Sequence, residues 1–332
     1  LSVLLGGIVL CIIHSIKNKT FKINELICES VINILISVLG EQIHHNSDMV
    51  KMSLACDYLG KVIISWFNYV NDLEYLLKIL LDLRNSDYQL LSISATKTLL
   101  QTGCAIPQSF IKIMGNEALM ISKRNRHQQA LMSIINLVQK YPQVLIKHLP
   151  LLVLTIIKCL DPSAPRRRKA LLQVTTASLH VLVKKYPNIA FHQKTQHFAI
   201  GTGPNRDNSI LIYDLRTTTR WKQLKGHKGA VTGISFNNDG QYLVSYSAYE
   251  TPPTIKCWYI GSSGFFTTIM NLGNNTKDGK CIKTSPMAPL NKIYPPIDHL
   301  INTKIIWNPK SQSSVKLIRE NKQVLFFTLF NK

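Results

Sequence analysis

The spacing of apolar residues changes near residue 191, from a period of 3.6 to a period of two. A helix gathers positions i, i+3, i+4 and i+7 into one stripe, whereas a strand sends alternate residues to opposite faces, so no single element type satisfies both patterns. The change predicts two regions: an all-helical one over residues 1–190 and a β one over 191–332. With 332 residues the chain is long enough to bury more than one core.

In the first region Leu73, Leu76, Leu77 and Leu80 fall on one helix face, and Leu131, Ile134, Ile135 and Val138 repeat the spacing. Breaks stand at "RNSD" (84–87), "AIPQS" (105–109) and "LDPSAP" (160–165). "LVQKYP" at 137–142 returns as "LVKKYP" at 182–187, an offset of 45 residues. Proline ends a helix because it restricts the residue before it and has no N–H to donate. The offset matches stacked helix-pair repeats, and the expected architecture is a HEAT- or armadillo-like α-solenoid. Two unrelated helices ending in Tyr-Pro remain the alternative. The opening run "LSVLLGGIVLCIIHSI" is shorter than the ~20 residues of a spanning helix and reads as a buried helix of the same array. The chain begins at Leu1, in mid-run, which is the expectation for a fragment of a longer protein.

In the second region "HFAIGTG" (197–203), "SILIYDL" (209–215), "AVTGISF" (230–236), "QYLVSYS" (241–247) and "TIKCWYI" (254–260) are strand-like and separated by turn residues. With Gly226-His227 ahead of "AVTGISF" and Trp258 in the last run, they resemble the four-strand rhythm of a WD40 blade. In such blades a His, a strand Ser, a turn Asp and a Trp form a buried hydrogen-bond chain. The resemblance assigns His227, Ser245 and Trp258 to three of those roles. The turn Asp has no counterpart near Tyr249 in "AYETPP". In the preceding partial blade Asp207 can fill that role, with Tyr213 where Trp would stand. Residues 261–300 read as irregular, broken by "FFTTIM" and "KCIKT", and 303–329 as a degenerate last blade. Two to three blades fall short of the about four to eight that close a propeller, so the propeller is incomplete and its missing blades are expected upstream or from a partner.

The formal charge is +21, with 21 basic against 11 acidic residues in 1–190 and 18 against 7 in 191–332. Basic residues are therefore spread along the chain, as on a solvated surface. The densest cluster is Arg166, Arg167, Arg168 and Lys169, at an expected helix start, where positive charge opposes the helix dipole. These four are a candidate docking patch for an acidic surface or anionic lipid, and Tyr249 in its loop is a second candidate contact. The alternative for the cluster is a solvated turn. Seven scattered cysteines lack metal or redox spacing and read as reduced thiols of a cytosolic protein. The triplets at Asn18 and Asn274 carry no weight without a sign of secretion.

No cofactor or catalytic site is expected. "GTGPNRD" (201–207) lacks the third glycine of a dinucleotide loop, His44-His45 has no partner at ligand spacing, and His227 has no nucleophile beside it. Two binding functions remain: a protein-binding scaffold, and a basic scaffold in an RNA-processing or other nucleic-acid assembly. The second has the charge but no aromatic-interleaved basic stripe, so no specific nucleic acid is expected.

Over 197–217, 226–247, 280–284 and 304–329 the sequence resembles the beta subunits of rabconnectin complexes. Tyr246-Ser247 in place of the usual Gly-Ser, together with the distant "KCIKT", distinguishes this likeness from a generic WD40 one. The resemblance implies a long cytosolic protein with N-terminal WD repeats, a central helical region and C-terminal repeats. It also implies a large WD-repeat alpha subunit, V-type ATPase subunits and Rab GTPase regulators as partners. Association with endosomal or secretory vesicle membranes would be peripheral, and the implied activity is assembly of the pump and vesicle acidification.

Overall fold

The computed structural model describes residues 25–40, 46–120, 126–203, 207–261, 279–287, 303–308, 314–319 and 322–328. The apolar opening run, His44-His45, Asn18, Asn274 and "FFTTIM" lie outside the described residues. The chain divides into two units, Leu1–Thr155 and Ile156–Lys332.

The first unit is helical: α1 (Glu25–Gly40), α2 (Asn46–Trp66), α3 (Leu73–Arg84), α4 (Gln89–Ala105), α5 (Pro107–Leu119), α6 (Arg126–Lys140) and the one-turn α7 (Pro142–Leu145). The chain then enters α8 (Leu149–Lys158), within which the boundary between the units falls. Local chemistry sets the starts. Asp72 caps α3 by accepting the Tyr75 N–H at 2.8 Å. Pro107 and Pro142 occupy first-turn positions where a missing N–H costs nothing. The leucine stripe of α3 is buried at Leu76, Leu77 and Leu80, and that of α6 at Leu131, Ile134, Ile135 and Val138.

Polar bonds fix how these helices pair. Ser53 meets Ser94 at 3.0 Å, and Thr98 donates to the Cys56 carbonyl at 2.7 Å. These partners advance together along α2 and α4, so the two helices run parallel. Gly60 permits the close approach, since a Cβ there would overlap the Gln101 side chain. Arg126 of α6 forms a fork onto Asp82 of α3 at 2.6 and 2.5 Å.

In the second unit α9 (Pro165–Lys185) precedes three antiparallel sheets. The first is β1 (Ile189–His192), β2 (His197–Gly201), β3 (Ile210–Asp214) and β4 (Thr219–Leu224). The second is β5 (Gly233–Phe236), β6 (Tyr242–Ser247), β7 (Thr254–Tyr259) and β8 (Lys280–Pro286), and the third is β9 (Thr303–Trp307), β10 (Ser314–Arg319) and β11 (Lys322–Thr328). "KCIKT", which interrupts a stretch otherwise expected to be irregular, belongs to the edge strand β8, paired with β7 from Tyr259↔Lys280 to Thr254↔Pro286 with a register shift between Cys257 and Trp258. None of its seven residues is buried, so no apolar alternation marks it in the sequence, and an edge strand needs only one partner. β1 is likewise a strand that the sequence pattern did not single out, in a short segment after Tyr186-Pro187.

Secondary structure changes class between Lys185 and Ile189, close to the expected boundary. Packing divides the chain earlier, because α9 lies against β1 and belongs with the sheets. The middle sheet is covered on both faces. Leu243, Trp258, Ile234 and Phe236 pack toward Ala199, Ile210, Ile212 and Leu224 of the first sheet. Val244, Tyr246, Ile255 and Cys257 pack toward Ile305, Trp307, Val315 and Leu317 of the third. A sheet buried on two faces has apolar residues at consecutive positions, which is why "YLVSYS" is hidden almost throughout.

Leu80→Ala, at a site with no exposure, is expected to destabilise the helical unit by about 2–5 kcal/mol. Denaturant unfolding followed by far-UV circular dichroism measures this, and a loss under about 1 kcal/mol would contradict the packing described.

Candidate functional site

The middle sheet is organised around Ser245. Trp258 Nε1 donates to Ser245 Oγ at 2.8 Å, and His227 Nε2 lies 2.7 Å from the same oxygen. An indole N–H can only donate, so the serine hydroxyl proton is free to point at His227 Nε2. His227 Nδ1 then carries the imidazole proton and donates to Glu250 Oε1 at 2.6 Å. Glu250 Oε1 also accepts the Lys228 N–H at 2.8 Å. Side-chain exposure is 1% at His227 and 7% at Glu250, so the chain of bonds is dry.

Backbone geometry builds this arrangement. Gly226 has φ +144°, and a Cβ there would stand 3.2 Å from the Trp258 ring. Gly229 lies against the Tyr249–Glu250 backbone, where a Cβ would come within 2.8 Å. The segment 226–229 thus lies flat on the ring at one end and on the "AYETPP" loop at the other.

The carboxylate expected to be missing near Tyr249 is supplied by the next residue, Glu250. Its extra methylene reaches His227 from one position further along the loop. The signal was in the sequence, but a search for aspartate passes over it. Asp207 is elsewhere: it is exposed in the turn between β2 and β3, at φ 57°. In the first sheet Phe198 faces Tyr213 as Leu243 faces Trp258, which places Ile200 where the second sheet has Ser245. The serine-centred chain is therefore a feature of the second sheet. Tyr249 is half-buried with its hydroxyl shielded from solvent, so the observed role of its loop is to deliver Glu250.

Burial pushes the His227 imidazole below its ordinary value, partly offset by Glu250. Burial acts to raise the Glu250 carboxyl, but the hydrogen bonds from His227, Thr254 and the Lys228 N–H outweigh it and hold the group low. His197 is stacked on Trp221 at 3.9 Å, and burial takes it down to about 4. All three groups bind fewer protons folded than unfolded as pH falls, so each contributes stability that is lost on acidification. For the histidines the loss begins near the unfolded value of 6.5. For Glu250 it begins near 4.5.

Two surfaces accompany the network. One is a groove of ≈ 500 Å³ lined by β1 and β5, with Phe191, His192, Lys194, Asn237 and Lys304 among its residues. The other is the start of α9. Arg166 and Lys169 are exposed there, Arg167 pairs with Asp161 at 3.7 Å, and Arg168 Nη1 donates to the Arg216 carbonyl at 3.4 Å. Sequence reasoning missed Arg216, which lies 48 residues from Arg168. Among the described residues no group of three or more His, Cys, Asp or Glu is arranged to hold a metal ion. Cys56 and Cys257 are buried thiols pushed up to about 12, which makes them poor nucleophiles.

Comparison with protein families finds a WD40 repeat (WD domain, G-beta repeat) over residues 218–258. The match begins at Thr218, one residue before β4, and ends at Trp258 in β7, so the sequence repeat straddles two sheets. It covalently ties the outer strand of one to the first three strands of the next. WD40 repeats typically serve protein–protein interaction without catalysis.

Glu250→Ala leaves the buried His227 Nδ1–H without its acceptor and is expected to cost about 1–3 kcal/mol. Asp207→Asn, at an exposed turn, is expected to stay within about 0.5 kcal/mol of wild type. Urea unfolding monitored by tryptophan fluorescence separates the two, and equal effects would contradict a stabilising role for the network. In the wild-type chain the unfolding midpoint is expected to fall as pH is lowered from 7 through 5. A flat profile would contradict the burial of His197 and His227 as neutral groups.

Proposed function

We propose that this chain is a non-catalytic scaffold similar to the beta subunit of rabconnectin complexes. It binds a large WD-repeat alpha-type subunit and promotes assembly of the V-type proton ATPase, and hence vesicle acidification. The observation that carries the scaffold reading is the WD40 repeat at 218–258, in which His227, Ser245, Trp258 and Glu250 complete a dry hydrogen-bond chain. Such a chain holds the loops at the rim of the sheets in one conformation, and rigidly presented loops are what protein recognition uses. The order of helices followed by antiparallel sheets supports the same reading.

In this proposal the helical unit is part of a HEAT- or armadillo-like solenoid, and the three sheets are blades of a propeller completed by further blades. Three sheets are fewer than the about four that the smallest propellers close with. Their first strands β1, β5 and β9 lie side by side, as the inner strands of a propeller do. The proposed location is the cytoplasm, peripheral on endosomal or secretory vesicles and held there by partners. No helix among the described residues is long and apolar enough to cross a membrane.

The test is capture of the tagged full chain from cell extract at near-physiological and raised salt, with blotting for the alpha-type subunit and for V-type ATPase subunits. Salt-resistant recovery of both, with a rise in vesicle lumenal pH on depletion of the chain, is the expected result. Recovery of RNA with a steep salt dependence, and of neither protein, would overturn it in favour of a nucleic-acid scaffold.

A further inference from the structure

The chain carries ten arginines among 39 basic residues, so lysine is used about three times as often. Five of those ten lie in two short segments: Arg166, Arg167 and Arg168 at the start of α9, and Arg216 and Arg220 flanking the three threonines of the β3–β4 turn. The fold brings the segments together, with Arg168 Nη1 on the Arg216 carbonyl. Two acidic side chains here are already engaged. Asp161 pairs with Arg167 at 3.7 Å, and Asp214 takes the Arg216 guanidinium at 2.7 Å. Among the described residues no carboxylate is bonded to Arg166, Arg168 or Lys169. Arg216 keeps 64% of its side-chain exposure despite its pair.

Helix stability does not account for the placement, because positive charge at a helix start opposes the dipole. General solubility does not account for the residue type, because lysine serves it equally well. Arginine differs in offering a planar fork that meets a carboxylate with two parallel hydrogen bonds. The exposed hydroxyls of Thr217 and Thr219, 2.8 Å apart in the turn, add polar donors beside it.

We infer that the α9 start and the β3–β4 turn form one docking surface for an aspartate- and glutamate-rich segment of a partner protein. This deepens the scaffold reading and rests on it. The surface is composite, since neither segment alone assembles Arg166, Arg168, Lys169 and Arg216. A bilayer would respond to the number of positive charges rather than to the choice of arginine.

The experiment measures fluorescence anisotropy of a labelled poly-L-glutamate peptide against the full chain at near-physiological salt. Saturable binding is expected. Arg168→Gln and Arg216→Gln should each weaken it by about three- to tenfold. Their combination should depart from the product of the single effects, because both arginines meet one ligand. Arg168→Lys should also weaken binding, whereas Lys112→Gln, on the exposed face of α5, should not. Circular dichroism and the unfolding midpoint report whether Arg216→Gln disturbs the turn that Asp214 stabilises, and Arg166→Gln then stands in for it. Equal weakening by Lys112→Gln, or full retention by Arg168→Lys, would overturn the inference, since net charge alone would explain the binding. So would absence of peptide binding alongside arginine-dependent binding to phosphatidylserine vesicles. The homopolymer probe keeps this result separate from capture of the pump subunits, which tests the scaffold reading itself.

Discussion

Ser245 Oγ lies between an indole N–H and an imidazole nitrogen, and the second unit is arranged around that oxygen. It accepts a hydrogen bond from Trp258 Nε1–H and donates one to His227 Nε2, whose Nδ1–H in turn donates to Glu250. Ser245, His227 and Trp258 are buried and the Glu250 side chain is 7% exposed, so loss of any one leaves a neighbour without its hydrogen-bond partner in a dry environment. The chain joins β6, β7, the loop before β5 and the loop after β6. Those are the parts of the middle sheet that sequence-local bonding leaves independent. Trp258 then presents its ring to the first sheet, so the same side chain ends the polar chain and fills the apolar core.

The middle sheet transmits order in the other direction as well. Tyr246 packs toward the third sheet, where Arg319 Nη1 donates to its hydroxyl at 3.0 Å. Trp307 Nε1 donates to the Ser235 carbonyl at 3.2 Å. Alternate residues of β6 therefore serve opposite neighbours: Leu243 and Ser245 one side, Val244 and Tyr246 the other. Tyr246 takes the place where a small residue would leave a gap, and the cation above its ring holds it.

The two Tyr-Pro hexapeptides separate local from tertiary information. In both, the tyrosine N–H closes the preceding helix onto a leucine carbonyl, Tyr141 to Leu137 at 2.8 Å and Tyr186 to Leu182 at 2.9 Å. The stop is thus written in the hexapeptide, but the type of the next element is not. Residues after Tyr141 re-enter a helix, and residues after Tyr186 enter β1. Tyr141 is 41% exposed and Tyr186 is 2% exposed. The Pro187 carbonyl accepts the Ile234 N–H at 2.9 Å, a partner 47 positions away that no local pattern encodes.

By itself the sequence determined the change from helix to strand, the helix stops, the apolar faces of α3 and α6, and three of the four members of the serine-centred chain. These are properties of spacing and of single residue types, which neighbours along the chain fix. Only the tertiary structure decided that "KCIKT" is a strand, that Glu250 rather than an aspartate completes the network, and that Arg168 meets Arg216. Each of these depends on pairing across tens of residues. An edge strand shows weak alternation, a glutamate one position late reaches the same point by a longer side chain, and a charge cluster gains its second half only when two distant segments are packed together.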